Sequence, residues 1–257
     1  MEEIDSNFQQ DKIEAYTDFG HVEFDRTKMK PLSHGKYGEV YDMQNGYALK
    51  RYFNSKRISA DGARNTAKVI RTIKNLKLGN MYSIAEILYS GKYKLKKEII
   101  GYTMKKYDTE DIDFTQVDIN YIINNYNQIK EDFLLLAKNN ITVRDLHTRN
   151  VIITQDKIII IDADNYLKSI FGGKSLSEGI NISQLNSLFT KLLIESYYAY
   201  HREDPYLQAK IRFLQTNFRS FPDFIEELKH FSSFDEFLTN KLENIYKGFR
   251  TLWMKKQ

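Results

Sequence analysis

Residues 143–164 read Val143-Arg144-Asp145-Leu146-His147-Thr148-Arg149-Asn150, then Val151-Ile152-Ile153, a polar step over 154–157, Ile158-Ile159-Ile160-Ile161, and Asp162-Ala163-Asp164. Two short β-branched runs joined by a tight polar turn predict a β-hairpin. Polar residues stand at both of its ends: Asp145 and Asn150 before the first run, Asp162 and Asp164 after the second. Such oxygen-bearing side chains can hold a hard divalent cation. A carboxylate beside them can orient or deprotonate a hydroxyl. A polar cluster is thus fixed to an apolar clip, and the rest of the chain reads as a frame that brings a phosphate to it.

Towards the N-terminus, Leu32-Ser33-His34-Gly35-Lys36-Tyr37-Gly38-Glu39-Val40-Tyr41 reads as strand, glycine-containing turn, strand. Small residues in such a turn let backbone N–H groups approach a phosphate closely, although an ordinary hairpin has the same pattern. Asn45-Gly46 predicts a two-residue type I′ turn with positive φ at both positions, leading into a strand over 47–52. On that strand Ala48 and Lys50 share a face. The small residue leaves room for a flat ligand, and the lysine neutralises phosphate charge unless it is simply solvated. Residues 61–78 predict a helix with Ala63, Ala67, Ile70, Ile73 and Leu76 at apolar spacing. Its other face carries Arg64, Lys68, Arg71, Lys74 and Lys77, either a solvated surface or a dock for an anionic partner. Strands follow at 84–89 and 99–107, joined by a basic hairpin around 92–97. Residues 1–30 read as a leader with one strand near 21–24.

The polar stretch 108–118 contains five acids. It predicts a boundary between a β-rich part, 31–108, and a helical part, 109–257, of one domain. Ile122, Tyr126, Ile129, Phe133 and Leu136 predict a helix over 121–138, ended by Asn139-Asn140. After Asp164 the pattern is loose to about residue 179. Ser183 then reads as the N-cap of a helix over 185–200, with further helices near 206–217, 222–231 and 234–253.

Composition excludes several chemistries. The 257 residues contain no cysteine, so disulfides, thiolate metal sites and cysteine nucleophiles are ruled out. A hydrophobic share of 42% supports a core, and a net charge of +4 is too mild to predict nucleic acid as a partner. The acidic start, Met1-Glu2-Glu3, lacks the pattern of a signal peptide. No apolar run approaches the ~18 residues of a membrane span. A cytoplasmic protein without a membrane partner is expected.

In order and spacing, these parts resemble the protein kinase superfamily over about residues 32–200. The glycine turn resembles G-x-G-x-x-G-x-V, with Ser33 at the first glycine. Ala48-Leu49-Lys50 resembles the third-strand lysine motif. Residues 144–150 resemble the catalytic loop H-R-D-L-x-x-x-N, with Val143 at the histidine, and Asp162-Ala163-Asp164 stands where the family has D-F-G. The resemblance implies an α+β fold of two lobes: an antiparallel sheet with one helix, then a mainly helical lobe. It implies an ATP- and magnesium-dependent phosphotransferase. Asp145 would accept or orient the proton of the attacking hydroxyl. Asn150 and Asp162 would hold Mg2+, and Lys50 would contact the α- and β-phosphates. Ser33, Gly35 and Gly38 would cover the phosphates. Val40, Ala48 and Ile152 would enclose adenine, with hydrogen bonds to its edge from the backbone of residues 104–107, Met104 and Lys106 included.

The departures leave questions open. Asp164 reads as a further metal ligand or as a solvated turn acid. The helix after Lys50 lacks the family's glutamate, so Asp61 or Glu86 replaces it, or Lys50 pairs with Asp162 alone. His147 is similar to small-molecule kinases of the aminoglycoside phosphotransferase type, while Arg149 is similar to tyrosine kinases. The favoured acceptor is a Ser, Thr or Tyr hydroxyl of a protein substrate. The alternatives are a small-molecule kinase and a pseudokinase that binds nucleotide or a partner without transfer. About twenty residues separate Asp164 from the next expected helix, without an A-P-E motif. Ser169, Ser175 and Ser177 lie there as modifiable serines.

Overall fold

The computed structural model describes residues 11–35, 37–53, 60–90, 98–168, 174–217 and 227–254. Lys36, the expected hairpin at 92–97, Ser169 and residues 222–226 of an expected helix lie outside them, as do the side chains of residues 60–64. The strands are β1 (Lys12–Thr17), β2 (Gly20–Asp25), β3 (Lys30–His34), β4 (Gly38–Asp42), β5 (Tyr47–Tyr52), β6 (Ile84–Tyr89) and β7 (Ile99–Lys105). They form one antiparallel sheet in the order β2-β1-β6-β7-β5-β4-β3. The helices are α1 (Ala60–Asn75), α2 (Ile119–Lys138), α3 (Lys174–Tyr200), α4 (Leu207–Asn217) and α5 (Phe234–Met254). The chain is therefore α+β, with the strands gathered in its first part and the helices mostly in its second.

The meander β3–β4–β5 and strands β6 and β7 match their sequence patterns. The turn between β4 and β5 does not. The sequence predicts positive φ at Asn45 and Gly46, but the positive values fall at Gln44 and Gly46. Asp42 draws the chain in by accepting from the Gln44 N–H at 2.7 Å, and the Asn45 side chain accepts from the Tyr47 N–H at 3.2 Å. These two side-chain bonds support a longer loop. Residues 12–25 contribute two strands rather than one. Ile13, Ala15 and Thr17 alternate inwards, and β1 joins the sheet through Tyr16 opposite Tyr89.

Alternation splits the β4–β5 side chains between two apolar clusters. Tyr41 and Leu49 join Ile13, Ala15, Leu88 and Ile100 in a small one. The other face meets the main core, which runs from Tyr52, Ile84 and Tyr102 through Ile158–Ile160 to Phe133, Phe189 and Phe237. The clip is β9 (Val151–Ile153) paired antiparallel with β10 (Ile158–Ile160). All three isoleucines of β10 are completely buried, each contributing roughly 1.5–3 kcal/mol.

The clip is held from three sides. The Tyr82 N–H donates to the Ile160 carbonyl at 2.9 Å, and the Ile160 N–H to the Asn80 carbonyl at 2.7 Å. Asn125, inside α2, accepts from the Ile158 N–H at 2.7 Å and from the Asn80 side chain at 3.0 Å. Helix α3 starts at Lys174, far ahead of the expected 185, so Ser183 is a mid-helix residue and not an N-cap. Within residues 174–184 of the helix, Asn181 is fully buried. It accepts from the Val143 N–H at 2.7 Å and donates to the carbonyls of Phe133 and Ile141 at 3.0 and 3.1 Å.

Candidate functional site

Strand β5 sits between two close neighbours. Lys50 lies opposite Val40 on β4 and Tyr102 on β7, and Ala48 lies opposite Met104. Cross-strand partners share a face, so Val40, Ala48, Lys50, Tyr102 and Met104 line one surface. A Cβ on Gly38 would collide with the Arg51 carbonyl oxygen, and one on Gly101 with that of Lys50. Gly38 thus serves strand approach as well as the turn. Ser33 is exposed on the edge strand β3, and the Gly35 N–H closes the turn onto the Gly38 carbonyl at 2.9 Å. The Lys106 N–H donates to the Gly46 carbonyl at 2.9 Å. Its ammonium pairs with Asp42 and Asp108, both at 3.0 Å. Ile152 is half-buried on β9, against the main core.

The polar ends of the clip close on each other. The Asn150 side-chain amide donates to the Asp145 carbonyl at 3.0 Å, and the Ile161 N–H donates to the Asn150 carbonyl at 2.9 Å. Asp145 and Asp162 both adopt left-handed backbone, with φ of 56° and 60°. Asp tolerates that region better than most residues, at some cost in energy. The exposed Asp145 carboxylate accepts from the Asn165 side chain at 2.8 Å, with the His147 Nε2 at 4.0 Å.

Lys50 reaches across from the sheet to this loop. Its ammonium stands 2.7 Å from Asp162 Oδ1 and 2.6 Å from Asp164 Oδ2. The Lys50 and Asp164 side chains are 10% and 9% exposed, whereas Asp162 is 40% exposed. Asp162 is therefore the more accessible of the two acids. Burial pulls the Lys50 pKa down, but the charges of Asp164 and Asp162 more than offset it and leave it raised. Burial pushes the Asp164 carboxyl up, against the opposing pull of Lys50. The Tyr102 hydroxyl donates to Asp164 Oδ1 at 3.4 Å, and the Tyr102 ring packs on Tyr82 and Tyr52. Burial, then the Asp164 charge, keeps all three phenols neutral by raising their pKa values far above the ordinary one.

Lys50, Asp145, Asn150 and Asp162 thus come together on the clip, while Val40, Ala48 and Met104 line the sheet face beside Lys50. Asp164 is not a solvated acid, because its carboxylate is buried against Lys50 and Tyr102. Glu86 does not meet Lys50 but pairs with Lys74 at 3.5 Å. On the basic helix face, Lys74 is engaged by Glu86 and by Asp18 at 3.7 Å. The Arg71 guanidinium lies over the Tyr89 ring, 5.7 Å from its centroid. Ser177 is buried against Thr142 at 2.9 Å, which removes it as a modification site. The sequence singles out neither Asn165, an amide next to Asp164, nor Asn181, which stands apart from the motif residues. No protein-family model matches the chain, and no curated protein matches it. No helix among the described residues is long and apolar enough to cross a membrane.

Proposed function

We propose that the chain is an ATP- and magnesium-dependent phosphotransferase of protein-kinase type, with the sheet and α1 as one lobe and the helical part as the other. The observation that carries this reading is the 2.7 Å pair between Lys50 and Asp162. It unites a cation suited to phosphates with a carboxylate suited to magnesium, on the clip that also carries Asp145. The donor set fits the metal: Asp162 offers an accessible carboxylate, and the Asn150 amide, anchored through its nitrogen, offers its oxygen. Among the described residues no group of three or more His, Asp or Glu side chains is placed to hold a metal ion. Magnesium takes few protein ligands and completes its shell with phosphates and water. The bound metal would neutralise phosphate charge. Asp145, aligned by Asn165, would orient the acceptor hydroxyl and take its proton.

The favoured acceptor is a protein hydroxyl. A small-molecule acceptor is a second reading, favoured by one observation: only residues 165–173 separate Asp164 from α3. That leaves little chain to dock a peptide. Incubation with γ-labelled ATP, magnesium and a cell lysate separates the readings by whether label enters proteins, small molecules or neither. Asp145→Asn and Asp162→Ala should each lower transfer by at least about a hundredfold without loss of helix content. Undiminished transfer in either variant rules the proposed roles out.

A further inference from the structure

We infer that Asp164 is the positioning residue for Lys50, so that the phosphate-binding lysine is anchored from the segment that ends the clip. This rests on the phosphotransferase reading for its catalytic meaning, although the pairing itself can be tested without it. Lys50 needs a fixed partner because a long, buried ammonium without one is costly to hold. Asp162 is the more exposed of its two acids and is claimed by the ligand side. Asp164 is buried, and its carboxylate bridges the Lys50 ammonium at 2.6 Å and the Tyr102 hydroxyl at 3.4 Å. Its main-chain carbonyl is fixed as well, accepting from the Thr66 hydroxyl of α1 at 3.2 Å.

Among the described side chains of α1 there is no rival. Residues 65–75 contain no acid, and the positions α1 turns inwards are Thr66, Val69, Ile70 and Ile73. Glu86, the other nearby acid, is occupied by Lys74. Because Asp162 and Asp164 belong to one short segment, the lysine's anchor and the metal-facing carboxylate are set together. Among the described side chains, control by moving α1 away from the lysine has no ion pair to break.

The test compares wild type, Asp164→Asn and Glu86→Gln. Transfer from ATP is measured as kcat and KM, and Lys50 is titrated by NMR after 13C reductive methylation, which keeps its charge. Asp164→Asn should lower kcat/KM for ATP about a hundredfold and shift the Lys50 titration to lower pH, with the melting temperature changed by a few degrees. Glu86→Gln should match wild type in both. Unchanged kcat and KM in an active Asp164→Asn enzyme would overturn the inference and leave the proposed function standing. Absence of transfer in wild type would overturn the function, while the Lys50 titration still decides the pairing. If Asp164→Asn does not fold, Glu86→Gln decides: loss of transfer or a moved Lys50 titration in that variant overturns the inference, and wild-type behaviour supports it.

Discussion

Gly101 lies so close to β5 that any side chain there would drive its Cβ into the Lys50 carbonyl oxygen. The obstacle is backbone in the middle of a sheet, which yields poorly. Gly101→Ala should therefore cost about 1–3 kcal/mol by urea unfolding, in the range of overpacked sites, and should reduce transfer by displacing Lys50. Gly79→Ala is the control, because a Cβ there meets nothing within 4 Å; its change should stay within about 0.5 kcal/mol. Equal costs for the two would show that the contact beneath Lys50 is not what constrains β5. The residues of this site differ in how far the sequence reveals them. Asp145, Asn150 and Asp162 are legible because motif spacing and the clip are local. The role of Asp164 is not, because its partner lies 114 positions away, on a strand whose register only the folded sheet sets.

Among the elements, the clip depends on a buried polar joint that no motif announces. Asp132 of α2 accepts from the N–H groups of Gly79 and Asn80 at 3.0 and 2.7 Å. Asn80 then bridges to Asn125 and, at 2.8 Å, to the Ile158 carbonyl. Polar residues on a helix face usually read as solvated, so the helical pattern of α2 hides this joint, as the serines and glycines of 172–183 hide the start of α3. In both places tertiary hydrogen bonds override local propensity. Burial holds the Asp132 carboxyl above its ordinary value of 3.8, against the opposing pull of the two amides. The folded state therefore binds this proton more tightly than the unfolded one. Asp132's contribution to stability then falls as pH rises from 3.8 through the folded value, and is level above it. Asp132→Asn lacks the titration and places an NH2 group against one of the two N–H donors. Its unfolding free energy should lie about 1–3 kcal/mol below wild type, with a gap that narrows as the pH rises from about 4 towards 7. A gap that widens over that range would mean that burial does not dominate at Asp132.

Across the molecule the same joints couple the sheet to the helices. Asn65 of α1 donates to the Tyr166 carbonyl at 3.0 Å and accepts from the Lys168 N–H at 2.9 Å. That tie continues into β11 (Leu167–Lys168), which pairs with β8 (Ile141–Thr142) beside Asn181 of α3. Lys50 adds the bridge from β5 to the clip, and the main apolar cluster takes in residues of α1, β5, β8, the clip and α3. Such a chain should unfold in one cooperative step, and a ligand bound at Lys50 and Asp162 should stabilise the whole of it. At a concentration a hundred times its Kd, a magnesium-nucleotide contributes about 2.7 kcal/mol, or a rise in Tm of roughly 5 °C for a chain of this size. Calorimetry should show a single transition that moves as one in wild type and stays in place in Lys50→Met. Two transitions with only one displaced would show that the sheet and the helical part are energetically separate despite their shared core. A single transition that no nucleotide moves would leave that coupling intact and remove the nucleotide from the site.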